Sequence, residues 1–175
     1  MAISLNNGCV KLNLPNGKVV DILTDVLDEM SKWLQNDNAQ PEGGGFIVGY
    51  QHKETGNIVL ENISTPFPLD TKNRIHFDIK DPRHHVFLQR AKRRKSYYMG
   101  VWHTHPQQLP IPSAIDWEDW RQTLILDKTA CEYIFYIIAG TVGIRVWIGN
   151  KKDNTIIEIE ESKKEDGLYT KNSES

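Results

Sequence analysis

"GVWHTHPQQLPIPSAID" (100–116) places two histidines, three prolines, a serine and an aspartate within seventeen positions. Its left end continues "YYMGVWHTH" (97–105), whose aromatic and β-branched residues suit a strand. Pro106 cannot donate to a ladder, so the strand stops there. Pro110 and Pro112 then keep the connection irregular. Ser113 with Asp116 three residues later is a capping-box signature, and it opens a helix over "SAIDWEDWRQTLIL", with Ile115, Trp120, Leu124 and Ile125 available for packing. The stretch therefore reads as strand, open loop, capped helix.

Working outward, "CEYIFYIIAG", "VGIRVWIG" and "TIIEIEE" downstream predict three more strands. Upstream, Asp81-Pro82 signals a helix start, with a basic helix over "RHHVFLQRAKRRKS". "FIVGY" (46–50), "NIVLENIS" (57–64) and "RIHFDI" (74–79) read as strands. Val19, Leu23, Val26, Leu27, Met30, Trp33 and Leu34 recur at helical spacing, predicting one helix from Val19 to about residue 35. "SLNNGCVKLNL" reads as a short strand pair or edge strand with a turn at Asn7-Gly8. This order of elements predicts an α+β fold with a central sheet. A single domain is expected over residues 1–161, followed by a flexible tail over 162–175, where apolar residues nearly vanish.

The 175 residues are 39% hydrophobic and 25% charged, with a net charge of −2, which argues against a general nucleic-acid binder or a polybasic membrane protein. The longest apolar run, "YIFYIIAG", is far below the roughly 20 residues of a membrane span. The N-terminus lacks a signal-peptide pattern, and the two cysteines, Cys9 and Cys131, lie far apart. A reduced cytoplasmic setting is expected, and any metal site must draw on histidine and carboxylate.

His103 and His105, two apart on a strand, point to one face with Cα atoms roughly 6–7 Å apart, so both imidazoles can reach one ion. Asp116 supplies a third ligand from the first helical turn. Three protein ligands with a fourth position open is the pattern of a catalytic zinc. Taken alone, a His-x-His pair does not require a metal, and helix capping accounts for Ser113 and Asp116. The combination points to zinc, and Glu42 strengthens it. In "PEGGGFIVGY" (41–50) that glutamate precedes three glycines, which permit close backbone approach at a crowded site edge.

Glu42 before a glycine-rich strand, then "HTHP" (103–106), six residues, then "SAID" (113–116), resembles the JAMM signature Glu…His-x-His-Pro-x(6)-Ser-x-x-Asp of JAB/MPN metalloproteases. The resemblance spans about residues 18–148. It implies a curved mixed sheet flanked by helices, with one Zn²⁺ held by His103, His105 and Asp116. It further implies that Glu42 takes the proton of the attacking water and passes it to the leaving amine, and that Ser113 donates to the developing oxyanion. Thr104, on the opposite face, is structural on this reading.

The surrounding sequence is similar to small bacterial JAB proteins encoded beside ubiquitin-activating-like and conjugating-like enzymes, many in CBASS antiphage operons. The partner this implies is the C-terminal tail of a ubiquitin-like protein or a cGAS-like nucleotidyltransferase, free or conjugated, cut by a deubiquitinase-like isopeptidase. Processing of a sulfur-carrier protein is an alternative, as is a non-enzymatic interaction module. Trp102 and Trp117 flank the motif as candidates to line a substrate groove, with packing as their default role. The basic helix reads first as a solvated face and second as a docking patch for an acidic partner.

Overall fold

A computed structural model describes residues 3–4, 9–37, 39–72 and 76–162 of the chain. Eleven strands and three helices follow one another in an α+β arrangement. β1 (Ile3–Ser4), β2 (Val10–Asn13) and β3 (Val19–Ile22) lead into α1 (Thr24–Ser31). β4 (Gly44–Gln51), β5 (Ile58–Ile63), β6 (Thr71–Lys72) and β7 (Phe77–Asp78) precede α2 (Arg83–Arg93). β8 (Tyr97–Thr104) and α3 (Ala114–Leu126) come next, then β9 (Tyr133–Ala139), β10 (Gly143–Asn150) and β11 (Thr155–Ile159).

Nine strands form one sheet in the order β1-β10-β9-β8-β4-β5-β3-β2, with β11 also on β10, while β6 and β7 form a separate ribbon. The pairs β3–β5 and β8–β9 are parallel and the others antiparallel. The far edges meet: Leu12 bridges Glu161, Asn13 N donates to Glu160 O at 3.1 Å, and Ser162 N donates to Lys11 O at 2.8 Å. The sheet thus curls almost into a barrel.

The curl has a chemical cause in β9, where all seven residues are buried. Tyr133, Phe135, Ile137 and Ala139 face the main core, which Val26, Leu27 and Met30 of α1 help fill. Ile134, Tyr136 and Ile138 face the other way and join Trp147 under Trp120 and Leu124 of α3. A strand covered on both faces needs no polar alternation, which explains the unbroken run "YIFYIIA".

A bulge in β8 sets which residues face the site. Ile47 pairs with Gly100 and Val48 with Tyr98, so Met99 is the extra residue. Met99 and Trp102 enter the main core, whereas Tyr98 and Val101 pack with the α3 cluster. His103 continues on that α3 side.

Three expectations change. Residues 19–22 are not helical: Val20 and Ile22 are buried while Val19 and Asp21 are half-buried, a period of two, and β3 pairs with β2 and β5. Helix begins only at Thr24. Of the two N-terminal readings the edge strand holds and the strand pair does not: β1 pairs with β10 and β2 with β3, at opposite ends of the strand order, and the turn expected at Asn7-Gly8 lies outside the described residues. Of "RIHFDI", only Phe77–Asp78 forms a strand among the described residues, against Thr71–Lys72 rather than in the main sheet. The tail expected from residue 162 also falls almost wholly outside the described residues.

α2 is held by a buried polar chain that the sequence did not disclose. Ser64 Oγ lies 2.7 Å from His84 Nδ1, and His84 Nε2 lies 2.7 Å from Asp70 Oδ2. Asp70 also accepts the backbone N–H groups of Phe67, Lys80 and Asp81. His85, its neighbour, is exposed, as adjacent helical residues must diverge. Arg90, Lys92, Arg93, Arg94 and Lys95 are all exposed.

Candidate metal centre

Glu42, 61 positions before His103 in sequence, is brought to it by β4 lying antiparallel to β8, with Gly44 opposite His103. The glycines are needed for this approach. A Cβ on Gly44 would lie 2.6 Å from Trp102 O and 2.8 Å from the Phe77 ring, and one on Gly45 would lie 2.1 Å from Ser64 O. Thr104 points to the opposite face, is buried, and donates to Gln35 Oε1 at 2.9 Å. Gln35 in turn donates to Gln40 O at 2.9 Å, which fixes the segment carrying Glu42.

α3 delivers Asp116. Its buried residues Asp116, Trp120 and Leu124 are four apart, so the stripe that packs on the sheet also carries the carboxylate. Trp120 stacks on Tyr136 with ring centroids 4.9 Å apart. The capping box forms as its signature implies: Asp116 N donates to Ser113 Oγ at 3.0 Å, and Ser113 N donates to Asp116 Oδ2 at 2.8 Å.

His103 Nε2 and His105 Nε2 lie 3.2 Å apart. Asp116 Oδ1 is 3.1 Å from the first and Asp116 Oδ2 is 3.1 Å from the second. In a tetrahedron with bonds of about 2.0–2.1 Å, two ligand atoms stand roughly 3.3 Å apart. The two imidazole nitrogens and the Asp116 carboxylate are spaced as ligands of one ion would be, each histidine meeting a different carboxylate oxygen, and nitrogen with carboxylate oxygen is a donor set suited to zinc. Glu42, His103 and His105 also offer ligand atoms within 4.8 Å of one another. Glu42 Oε2, however, stands 3.8 Å from His105 Nε2, outside that tetrahedral edge.

The electrostatics follow from burial. Desolvation pushes the Glu42 carboxyl up to about 8, with the Asp116 charge adding and His105 opposing. Burial also acts to raise Asp116, but hydrogen bonds from His103 and His105 outweigh it and hold that carboxyl well below the usual range. For His105, burial works downward, yet its bond to Asp116 and the nearby carboxylates raise it.

Two clefts flank the site. One, of about 330 Å³, runs between α3 and residues 76–79; its lining includes the carboxylates Glu42, Asp78, Asp116, Asp119 and Asp127, and no lysine or arginine among the described residues. The other, of about 340 Å³, is lined by Glu42, His105, Pro106, Gln107, Ile111, Pro112 and Ser113. Trp102 is buried in the core, its indole N–H donating to Ser64 O at 2.9 Å, and meets the first cleft only from beneath. Trp117 is half-buried against Trp120.

The sequence profile described as prokaryotic homologs of the JAB domain matches residues 23–153. The chain belongs to that family. Two curated relatives share its length closely. A "CD-NTase/cGAS isopeptidase" of Vibrio cholerae serotype O1 is 28% identical over 79% of this chain and 85% of its own. One with the same name from Escherichia coli is 29% identical over 78% of this chain and 85% of its own. Among solved structures, a Desulfitobacterium hafniense protein studied in solution matches with a TM-score of 0.53 at 17% identity, covering 81% of this chain and 88% of that one. That likeness concerns the fold of this JAB-domain protein alone.

Residues missed by sequence reasoning surround the motif. Gln35 carries no local signal, since only long-range packing brings it to Thr104, whereas Gln107 stands two residues from His105 in the connection that follows the strand.

Proposed function

We propose that this JAB-domain protein is a zinc-dependent isopeptidase, with His103, His105 and Asp116 as metal ligands. The observation that carries the reading is the 3.1–3.2 Å spacing of the two imidazole nitrogens and the Asp116 carboxylate, with the buried Glu42 carboxyl just beyond them. Zinc held there supplies a water of pKa about 7 and polarises the scissile carbonyl. Glu42 takes a proton from the attacking water as the new C–O bond forms, then delivers it to the leaving amine as the C–N bond breaks. Its carboxyl, at about 8 in the metal-free site, moves down toward neutrality beside a cation, the range suited to a general base and acid. Ser113 Oγ accepts from the helix N–H, which leaves its own O–H to donate to the carbonyl oxygen as charge develops.

The relatives' printed name, CD-NTase/cGAS isopeptidase, supports a CD-NTase as the substrate; its attachment to a target through the C-terminal tail, in CBASS defence, is the finer reading proposed from the sequence resemblance. A cleft on each side of the metal centre suits a bond with chain on both sides. A purely structural metal module would have no use for a buried carboxylate set back from the ligands.

The test is cleavage of a reporter fused to the C-terminus of the neighbouring CD-NTase, read by mass spectrometry. Zinc-loaded wild type should cut at the junction, while Glu42→Gln and chelator-treated protein should not. Intact fusion with zinc-loaded wild type would reject this substrate, and sulfur-carrier and ubiquitin-like fusions would then be compared.

A further inference from the structure

We propose that Gln107 is a positioning residue that fixes the tautomer of His105 so that Nε2 faces the metal. The inference rests on the metal-centre reading above and on a chain of hydrogen bonds outside the JAMM motif. Ile111 N donates to the Gln107 side chain at 2.8 Å. A backbone N–H needs an acceptor, so this bond decides which end of the amide is oxygen. The same oxygen lies 3.4 Å from His105 Nδ1. An oxygen there accepts only if Nδ1 carries the proton, so in the neutral ring that binds a metal the lone pair is on Nε2. That Nε2 is the atom 3.1 Å from Asp116 and 3.2 Å from His103 Nε2.

Gln107 is itself held. Its carbonyl accepts Thr141 N at 2.8 Å, across the β9–β10 turn. Gly140 permits this approach, because a Cβ there would stand 2.5 Å from Gln107 O. Arg145, paired with Glu158, donates to Pro110 O at 3.0 Å and ties down the same loop. The loop therefore works as a rigid bracket whose inner end is the acceptor for His105.

The test uses the full chain, with zinc affinity from competition against a chromophoric chelator and His105 ring nitrogens assigned by ¹H–¹⁵N correlation. Zinc-loaded wild type should show Nδ1 protonated and Nε2 bound to metal. Gln107→Leu should weaken zinc binding about 10- to 100-fold, the usual effect of removing a histidine's outer partner. Gln107→Glu, which keeps the acceptor, should bind zinc at least as tightly as wild type. Ile111→Pro removes the loop's donor while leaving the acceptor beside His105, and should stay within about threefold of wild type. Metal on Nδ1 in wild type, wild-type affinity in Gln107→Leu, or equal losses in Gln107→Leu and Ile111→Pro would each overturn the proposal. Failure of wild type itself to bind zinc would overturn the metal reading and this one with it.

Discussion

Gly43 and Thr104 are bonded to each other twice. Gly43 N donates to Thr104 Oγ1 at 2.9 Å, and Thr104 N donates to Gly43 O at 2.9 Å. One residue before this clamp is the proposed base and one on either side of Thr104 is a proposed ligand, so the clamp sets their separation. Thr104→Val removes the hydroxyl and strands the Gly43 N–H and the Gln35 amide oxygen in the interior. The expected cost is about 1–3 kcal/mol in urea unfolding. Zinc affinity should stay near wild type, because neither histidine depends on the hydroxyl. Cleavage should fall roughly 100-fold, since a displacement of about 1 Å at a reacting group has that effect. Full activity in a folded Thr104→Val protein would refute this role.

Glu42 gives the metal-free protein a pH-dependent stability. Its folded value of about 8 lies above its ordinary 4.5. Between those values the folded state holds more protons than the unfolded state. Stability contributed by the protonated carboxyl is therefore complete below about pH 4.5 and is lost as pH rises toward 8. The loss relative to Glu42→Gln is on the order of a few kcal/mol across that window. Thermal unfolding in chelator from pH 5 to 8.5 checks it: the Tm of wild type should fall further than that of Glu42→Gln. His105 titrates in both proteins and is raised in part by the Glu42 charge, so the difference reports Glu42 together with its coupling to His105. Parallel Tm curves would mean that Glu42 is not held protonated by burial.

The legible parts of the fold are those fixed by neighbours in sequence. Ser113 and Asp116 close a capping box three residues apart, and β8 to α3 came from prolines and aromatic residues within thirty positions. Residues 19–22 were misread because Val19 and Leu23 also fit a helical stripe, and only pairing with the distant β5 decides for strand. The Ser64–His84–Asp70 chain and the Gln35–Thr104 bond join residues far apart in sequence, and no local pattern marks a buried polar partner. Near closure of the barrel through Leu12 and Glu161 is of the same kind.

Ser113 caps α3 and is the proposed oxyanion donor, and the two duties are separable. As N-cap its side chain accepts Asp116 N, worth about 1 kcal/mol against alanine, whereas glycine at this position loses only a few tenths. As oxyanion donor it acts only in the reaction, where loss of one donor costs about 10²–10³ in rate. Ser113→Ala should therefore lose both stability and rate. Ser113→Gly should lose the same rate with little change in the unfolding midpoint. A Ser113→Gly protein that cleaves at the wild-type rate would assign Ser113 to capping alone.

Charge along the cleft between α3 and residues 76–79 should select the substrate tail. Asp78, paired with His76 at 2.8 Å, and Asp119 face the cleft beyond the proposed metal centre; burial raises the Asp119 carboxyl, His76 and His103 oppose, and the Asp78 and Asp116 charges add to the rise. Carboxylates held near one another favour a cation between them. With His103, Asp116 and Glu42 assigned to the proposed metal centre, Asp119 on the exposed face of α3 offers that contact to a passing side chain. Tail peptides with lysine or arginine at the cleft positions should be cut faster than matched peptides with glutamate, and the ratio should shrink at high salt. Asp119→Asn should reduce the preference severalfold without changing cleavage of neutral peptides. Asp119→Lys should invert it, and an unchanged ratio in both variants would exclude the cleft as the reader of tail charge.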